Sequence, residues 1–202
     1  MTLPKAELFD LCSKIGHGEF SGGLYTTHGN KMMLVAIALT IHAKDILELG
    51  YDAGATTLAL AMTGANVVGV DNGDEYPEVK VNALERMKDY PNVTLCNMDA
   101  LLYLQKCEDS SFDLIFIDDW HDYTHVLNEA AQARRVVRPG GFVCLHDTIV
   151  HGLWGAIEEI FPDWQRIEMP SIQDGEMWQG VERYRGQNFG FGMVRRPEET
   201  VL

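Results

Sequence analysis

The sequence predicts an α/β fold: a doubly wound, mostly parallel sheet with helices on both faces. Three observations predict it. Short apolar strands alternate with helical stretches from about residue 45 to residue 161. These strands are apolar in unbroken runs, as strands covered on both faces must be. A glycine or an aspartate follows each of the first five strands: Gly50, Asp71, Asp99, Asp118 and Asp147 in turn. Crossovers in such a sheet are right-handed, and ligands bind beyond the carboxyl ends of the strands, near the point where strand order reverses.

The elements follow in order. Residues 4–42 read as helical with a break, where Gly16, Gly18, Gly22 and Gly23 mark a loop that also holds His17. Lys31 to His42, rich in Met, Leu, Ala and Ile, reads as a buried helix. Asp45 to Leu49 is the first strand, and Ala55 to Met62 is a helix closed by Gly64. Asn66 to Asp71 is the second strand, followed by an amphipathic helix from Glu78 to Asp89 and then Pro91. Val93 to Asn97 is the third strand, and Ala100 to Cys107 a short helix. Phe112 to Asp118 is the fourth strand. Tyr123 to Val137 is a helix that ends at the turn Arg138-Pro-Gly-Gly141. Phe142 to His146 is the fifth strand, and Leu153 to Phe161 the last helix. Two more strands are expected near Trp164 to Ile167 and Phe189 to Val194.

Composition bounds the function. The chain has 202 residues, 46% of them hydrophobic and 23% charged, which suits one soluble domain with a core of its own. A formal net charge of −14 disfavours a nucleic-acid partner, because an acidic surface repels phosphate. No apolar run is long enough for a membrane span, and Met1 to Lys5, with Glu7 and Asp10 close behind, is no signal peptide. Cys12, Cys96, Cys107 and Cys144 are scattered without a C-x-x-C pair. They read as reduced thiols of a cytoplasmic protein, not as zinc ligands.

The turn after the first strand, Glu48-Leu-Gly50-Tyr-Asp-Ala-Gly54, opens a helix. Its spacing is G-x-x-x-G, without the middle glycine of the dinucleotide fingerprint, and Asp52 places a negative charge in it. That argues against a pyrophosphate and suits a cofactor that carries an amino acid. Asp71, with Asn72 beside it, stands where an acidic side chain accepts hydrogen bonds from both ribose hydroxyls. Asp99 either binds an adenine amino group, with Met98 and Ala100 flanking the ring, or caps the following helix, and it can do both.

Taken together, Glu-x-Gly after the first strand, Asp71 after the second, Asp99-Ala100 after the third and Arg138-Pro-Gly-Gly before the fifth resemble class I S-adenosylmethionine-dependent methyltransferases over about residues 28–150. The resemblance implies a Rossmann-like fold and S-adenosylmethionine held by Glu48, Gly50, Gly54, Asp71, Asn72, Met98, Asp99, Ala100, Asp118 and Trp120. It implies one domain over 1–202, with a helical cap at 1–42, a cofactor-binding core at 43–150 and a substrate-side segment at 151–202.

The fourth strand runs into Asp118-Asp-Trp-His-Asp-Tyr123, and the fifth into His146-Asp-Thr148. Two carboxylates at adjacent strand ends repel each other unless a cation sits between them, and hard oxygen ligands suit Mg²⁺. The Ile-Asp-Asp-Trp run is similar to catechol O-methyltransferases. Asp-x-x-His-x-Tyr with a later His-Asp-Thr is similar to the macrolide-sugar and cephalosporin-biosynthesis branch. Thr148 or His146 stands close enough in sequence to complete the shell of such a cation; the resemblance implies Asp118 and Asp147 as metal ligands and His121 as general base. His146 stands where those relatives often place an acid. Trp120 either stacks on adenine or packs in the core. His28, His42, His125 and His151 have no motif around them. Ser171 to Gln187 reads as a substrate-facing loop, a dimer contact or a plain surface connection. The expected partners are a small hydroxylated acceptor and a second copy of the chain. A nicotinamide oxidoreductase and a silent cofactor-binding protein are the alternatives to the methyltransferase.

Overall fold

A computed structural model describes residues 26–73, 77–170 and 189–198, without the side chains of 77–80. The glycine loop with His17, Cys12 and the segment from Ser171 to Gln187 lie outside the described residues.

The order is α1 (His28–Thr40), β1 (Asp45–Leu49), α2 (Ala55–Ala61), β2 (Asn66–Asp71), α3 (Pro77–Met87), β3 (Val93–Asn97), α4 (Ala100–Lys106), β4 (Phe112–Ile117), α5 (Tyr123–Val136), β5 (Val137–His146), α6 (Trp154–Ile160), β6 (Gln165–Met169) and β7 (Phe191–Arg195). The seven strands form one sheet in the order β3-β2-β1-β4-β5-β7-β6. The pairs from β3 through β5 are parallel, and β7 runs antiparallel to both of its neighbours. Strand order reverses between β1 and β4, so their carboxyl ends open the crevice where such sheets bind ligands.

Strand side chains alternate between two covered faces. Leu47, Leu49, Ile115, Ile117, Val143 and Leu145 pack in one core with α4, α5 and α6. Ile46, Val67, Leu114, Phe116 and Cys144 pack in another with α1 and α2. That double cover is why the strands read as unbroken apolar runs.

Most element ends that differ from the sequence expectation do so by a residue or two, and three of the differences have a visible physical reason. α1 begins at His28, before Lys31, because the Thr27 side chain accepts from the Asn30 N–H and caps the helix there. α3 begins at Pro77, whose missing N–H costs nothing at a helix start. Arg138-Pro-Gly-Gly141 is not a free turn before β5 but part of it. Its register slips against β4, where Phe112 pairs with Val137 and Leu114 with Phe142. Arg196 holds the bulge through Gly140 N–H to Arg196 C=O at 3.1 Å and Arg196 N–H to Gly141 C=O at 2.9 Å. Among the described residues Cys96, Cys107 and Cys144 are free thiols, and no helix is long and apolar enough to cross a membrane.

Candidate active site

The glycine turn after β1 is closed against β4. Gly50 donates to the Val70 carbonyl at 2.8 Å, and Asp118 donates to the Leu49 carbonyl at 2.9 Å. A Cβ on Gly50 would lie 2.2 Å from the Asp118 carbonyl oxygen, so only glycine permits this approach. Gly54 occupies the N-cap of α2. Below the turn, Glu48 is buried and accepts from the Thr57 hydroxyl. Burial pushes its carboxyl up to about 8, against the pull of Thr57 and of buried Lys31.

Asp71 ties the first two loops together. Its carboxylate accepts from the Asp52 N–H at 3.0 Å and the Gly73 N–H at 2.7 Å. Asn72 is exposed beside it. Asp99 caps α4 by accepting from the Leu102 N–H at 2.8 Å, with Met98 half-buried and Ala100 buried on either side. Trp120 is 56% exposed, so it does not pack in the core. Its bare ring remains for stacking.

At the ends of β4 and β5 the structure brings Asp118, His121, His146 and Asp147 together. His121 Nε2 lies 2.9 Å from Asp147 and 3.7 Å from Asp118. His146 Nδ1 lies 2.8 Å from Asp147 and 3.3 Å from Asp118. Asp147 adopts a φ of 57°, a left-handed conformation that aspartate tolerates better than most residues. Thr148 is buried next to it. Two participants carried no signal in the sequence. Thr26, 92 positions from Asp118, donates its hydroxyl to that carboxylate at 2.6 Å. His151 stacks on His121 with ring centroids 4.9 Å apart.

The charges compensate one another. Burial would raise the Asp118 and Asp147 carboxyls, but the two imidazoles hold Asp118 well below the usual range and lower Asp147 as well. Burial would lower the imidazoles, but the carboxylates push His121 and His146 up to about 10. The repulsion expected between the carboxylates is therefore met by two imidazolium ions in the protein alone. In that state His121 holds a proton at neutral pH, and it accepts one only when Asp118 and Asp147 are engaged elsewhere.

The cluster also fits a divalent cation. Donor atoms of Asp118, His146 and Asp147 lie within 4.8 Å of one another. Both His146 nitrogens lack an aligned hydrogen bond, although Nδ1 lies 2.8 Å from Asp147 Oδ1. The carboxylates suit Mg²⁺, whereas an imidazole suits a first-row transition ion better.

The strand order 3-2-1-4-5-7-6, with an antiparallel seventh strand and a glycine turn facing β4, defines the class I methyltransferase fold. The chain belongs to the methyltransferase domain family, whose pattern matches residues 47–148, from β1 through the end of β5. No curated protein matches it. Several solved structures share the fold. The cofactor-bound Rv0187 from MTB is 20% identical, with a TM-score of 0.68 over 96% of this chain and 91% of that one. An O-methyltransferase from Bacillus cereus in complex with SAH is 18% identical, with a TM-score of 0.66 over 96% of this chain and 92% of that one. The O-methyltransferase TomG from Streptomyces achromogenes, involved in tomaymycin synthesis and solved with SAM, is 14% identical, with a TM-score of 0.65 over 98% of this chain and 92% of that one.

Proposed function

We propose that the protein transfers the methyl group of S-adenosylmethionine to a hydroxyl oxygen of a small acceptor, with His121 as the base. The convergence of Asp118, His121, His146 and Asp147 beside the Gly50 turn carries this reading. Like-folded proteins solved with SAM or SAH support the choice of cofactor, and membership of the methyltransferase family favours it over a nicotinamide.

S-adenosylmethionine, when bound, supplies a methyl on a sulfonium, and the transfer is an in-line displacement that depends mostly on positioning. Asp71 and Asp99 orient its ribose and adenine. Glu48, Gly50, Gly54, Asn72, Met98, Ala100, Asp118 and Trp120 form the remaining wall. A divalent cation, Mg²⁺ first, would be held by Asp118, Asp147 and His146, and it would lower the pKa of a hydroxyl bound to it. His121, freed from its proton when the carboxylates are otherwise engaged, takes the hydroxyl proton at Nε2. The net charge of −14 disfavours nucleic acid as acceptor. The protein is read as cytoplasmic and as a homodimer, with the 151–202 segment on the substrate side.

Thermal melting with S-adenosylhomocysteine tests the cofactor. Ligand at a hundredfold excess over Kd adds about 2.7 kcal/mol to the stability of the native state, so Tm rises. No rise at millimolar ligand overturns the assignment. With labelled S-adenosylmethionine and hydroxylated acceptors, His121→Ala lowers kcat by about 10²–10⁴-fold and leaves S-adenosylhomocysteine binding intact. Unchanged kcat removes His121 from the reaction. Activity indifferent to EDTA removes the cation and leaves methyl transfer standing.

A further inference from the structure

A second cluster of donors lies where the chain leaves β4 and enters α5. Asp119 follows Asp118. His125 and Glu129 stand one turn apart on α5, on the same helix face. Glu129 is 0% exposed and shares the buried side of α5 with Val126, Ala130, Ala133 and Val136. A carboxylate among such neighbours is costly unless something pairs it. Yet neither Glu129 oxygen, nor the buried His125 Nε2, makes an aligned hydrogen bond to any described residue.

The distances are close all the same. His125 Nε2 lies 3.2 Å from Glu129 Oε1 and 3.5 Å from Asp119 Oδ2, and all three donors fall within 4.8 Å of one another. If a protonated His125 simply bridged two carboxylates, its N–H would point at Glu129 Oε1, and at 3.2 Å the bond would be aligned. It is not. The two distances from His125 Nε2, 3.2 and 3.5 Å, fit a shared ion between the donors. Ligands bound at about 2.0–2.1 Å around a tetrahedral ion sit about 3.3–3.4 Å apart.

We propose that Asp119, His125 and Glu129 bind Zn²⁺, separately from the Asp118, His146 and Asp147 cluster. One imidazole nitrogen and two carboxylate oxygens suit this ion, and its fourth position falls to water on the partly exposed Asp119 and His125 side. The site is structural in consequence: a bound ion pins Asp119 to α5 and so fixes the segment that carries Asp118 and His121. It does not depend on the reaction assigned above.

Zinc stoichiometry after equilibration of the full chain with Zn²⁺ and dialysis tests this, by elemental analysis with Tm as a second readout. Glu129→Gln keeps the side-chain volume. It is expected to bind one zinc fewer than the unaltered protein and to lose the rise in Tm that zinc gives. His125→Asn, on the more exposed side, is expected to do the same. Asp147→Asn is expected to keep this zinc whatever happens at the β5 cluster. Equal stoichiometry in the unaltered protein and in Glu129→Gln or His125→Asn, each folded by circular dichroism, overturns the proposal. So does a zinc lost only in Asp147→Asn.

Discussion

Gly50 carries two constraints that can be separated by substitution. Its φ of 83° alone disfavours any side chain, and the Asp118 carbonyl leaves no room for a Cβ. Gly64 shares the first constraint, with a φ of 84°, but has open space around the same position. Gly64→Ala should therefore cost only the backbone term, about 1 kcal/mol and at most about 3. Gly50→Ala should cost clearly more in urea denaturation and should also abolish S-adenosylhomocysteine binding, because the turn must move off β4. Equal losses for the two variants would mean that the turn yields without consequence. The same residues mark what the sequence makes legible. Gly50, Asp118 and Asp147 stand out because a strand end announces them. Thr26, Lys31, His125 and Glu129 do not, since their partners are brought near by folding over long separations or by helix geometry. The i, i+4 spacing of His125 and Glu129 was visible, but a helix face alone does not show which side is buried.

At the opposite end of the sheet from the site, Arg138 joins β1, β4 and β5. Its guanidinium lies 2.8 Å from Asp45 and 2.9 Å from Asp113. Asp113 also accepts from the N–H groups of Lys44 and Asp45 at 2.7 and 3.0 Å. Burial raises the Asp113 carboxyl, but the N–H donors and Arg138 outweigh it and hold it below the usual range. A carboxyl depressed in the folded state lends stability above its unfolded pKa, about 3.9, and loses it as pH falls through the lower folded value. Asp113→Asn should then be less stable than the unaltered protein at neutral pH, and the gap should close below about pH 4. A gap of constant size across that range would show that the charge contributes nothing and that only the hydrogen bonds count. The Arg138 run was read as a turn because Pro and the glycines signal one. That signal was correct locally, since Gly140 has a φ of 79°. Pairing with Arg196, 55 or more positions away, is what draws the turn into β5, and no local pattern contains it. The regular strand–helix alternation, by contrast, is local and came through in every parallel strand.

Over the whole molecule two electrostatic effects oppose each other. Thirty acidic side chains against sixteen basic ones give a net charge of −14, and a compact fold concentrates that repulsion. Several cations are committed to ion pairs that work the other way: Arg134 with Asp163, Arg135 with Asp109, Arg138 with Asp45 and Asp113, and Arg195 with Glu198. Pairs as exposed as these contribute about 0–1 kcal/mol each and are screened by salt too. The unpaired excess of negative charge acts over the whole surface, so it should win. Raising NaCl from about 20 to about 300 mM shortens the Debye length from about 20 Å to about 6 Å, which removes most of the long-range repulsion and less of the contact pairing. Tm should therefore rise with NaCl in the protein free of divalent ions. The rise should be smaller once Mg²⁺ is present, because a divalent cation seated among the carboxylates has already removed part of the repulsion. A Tm that falls with NaCl would show that the arginine pairs, and not the net charge, dominate the stability of this fold.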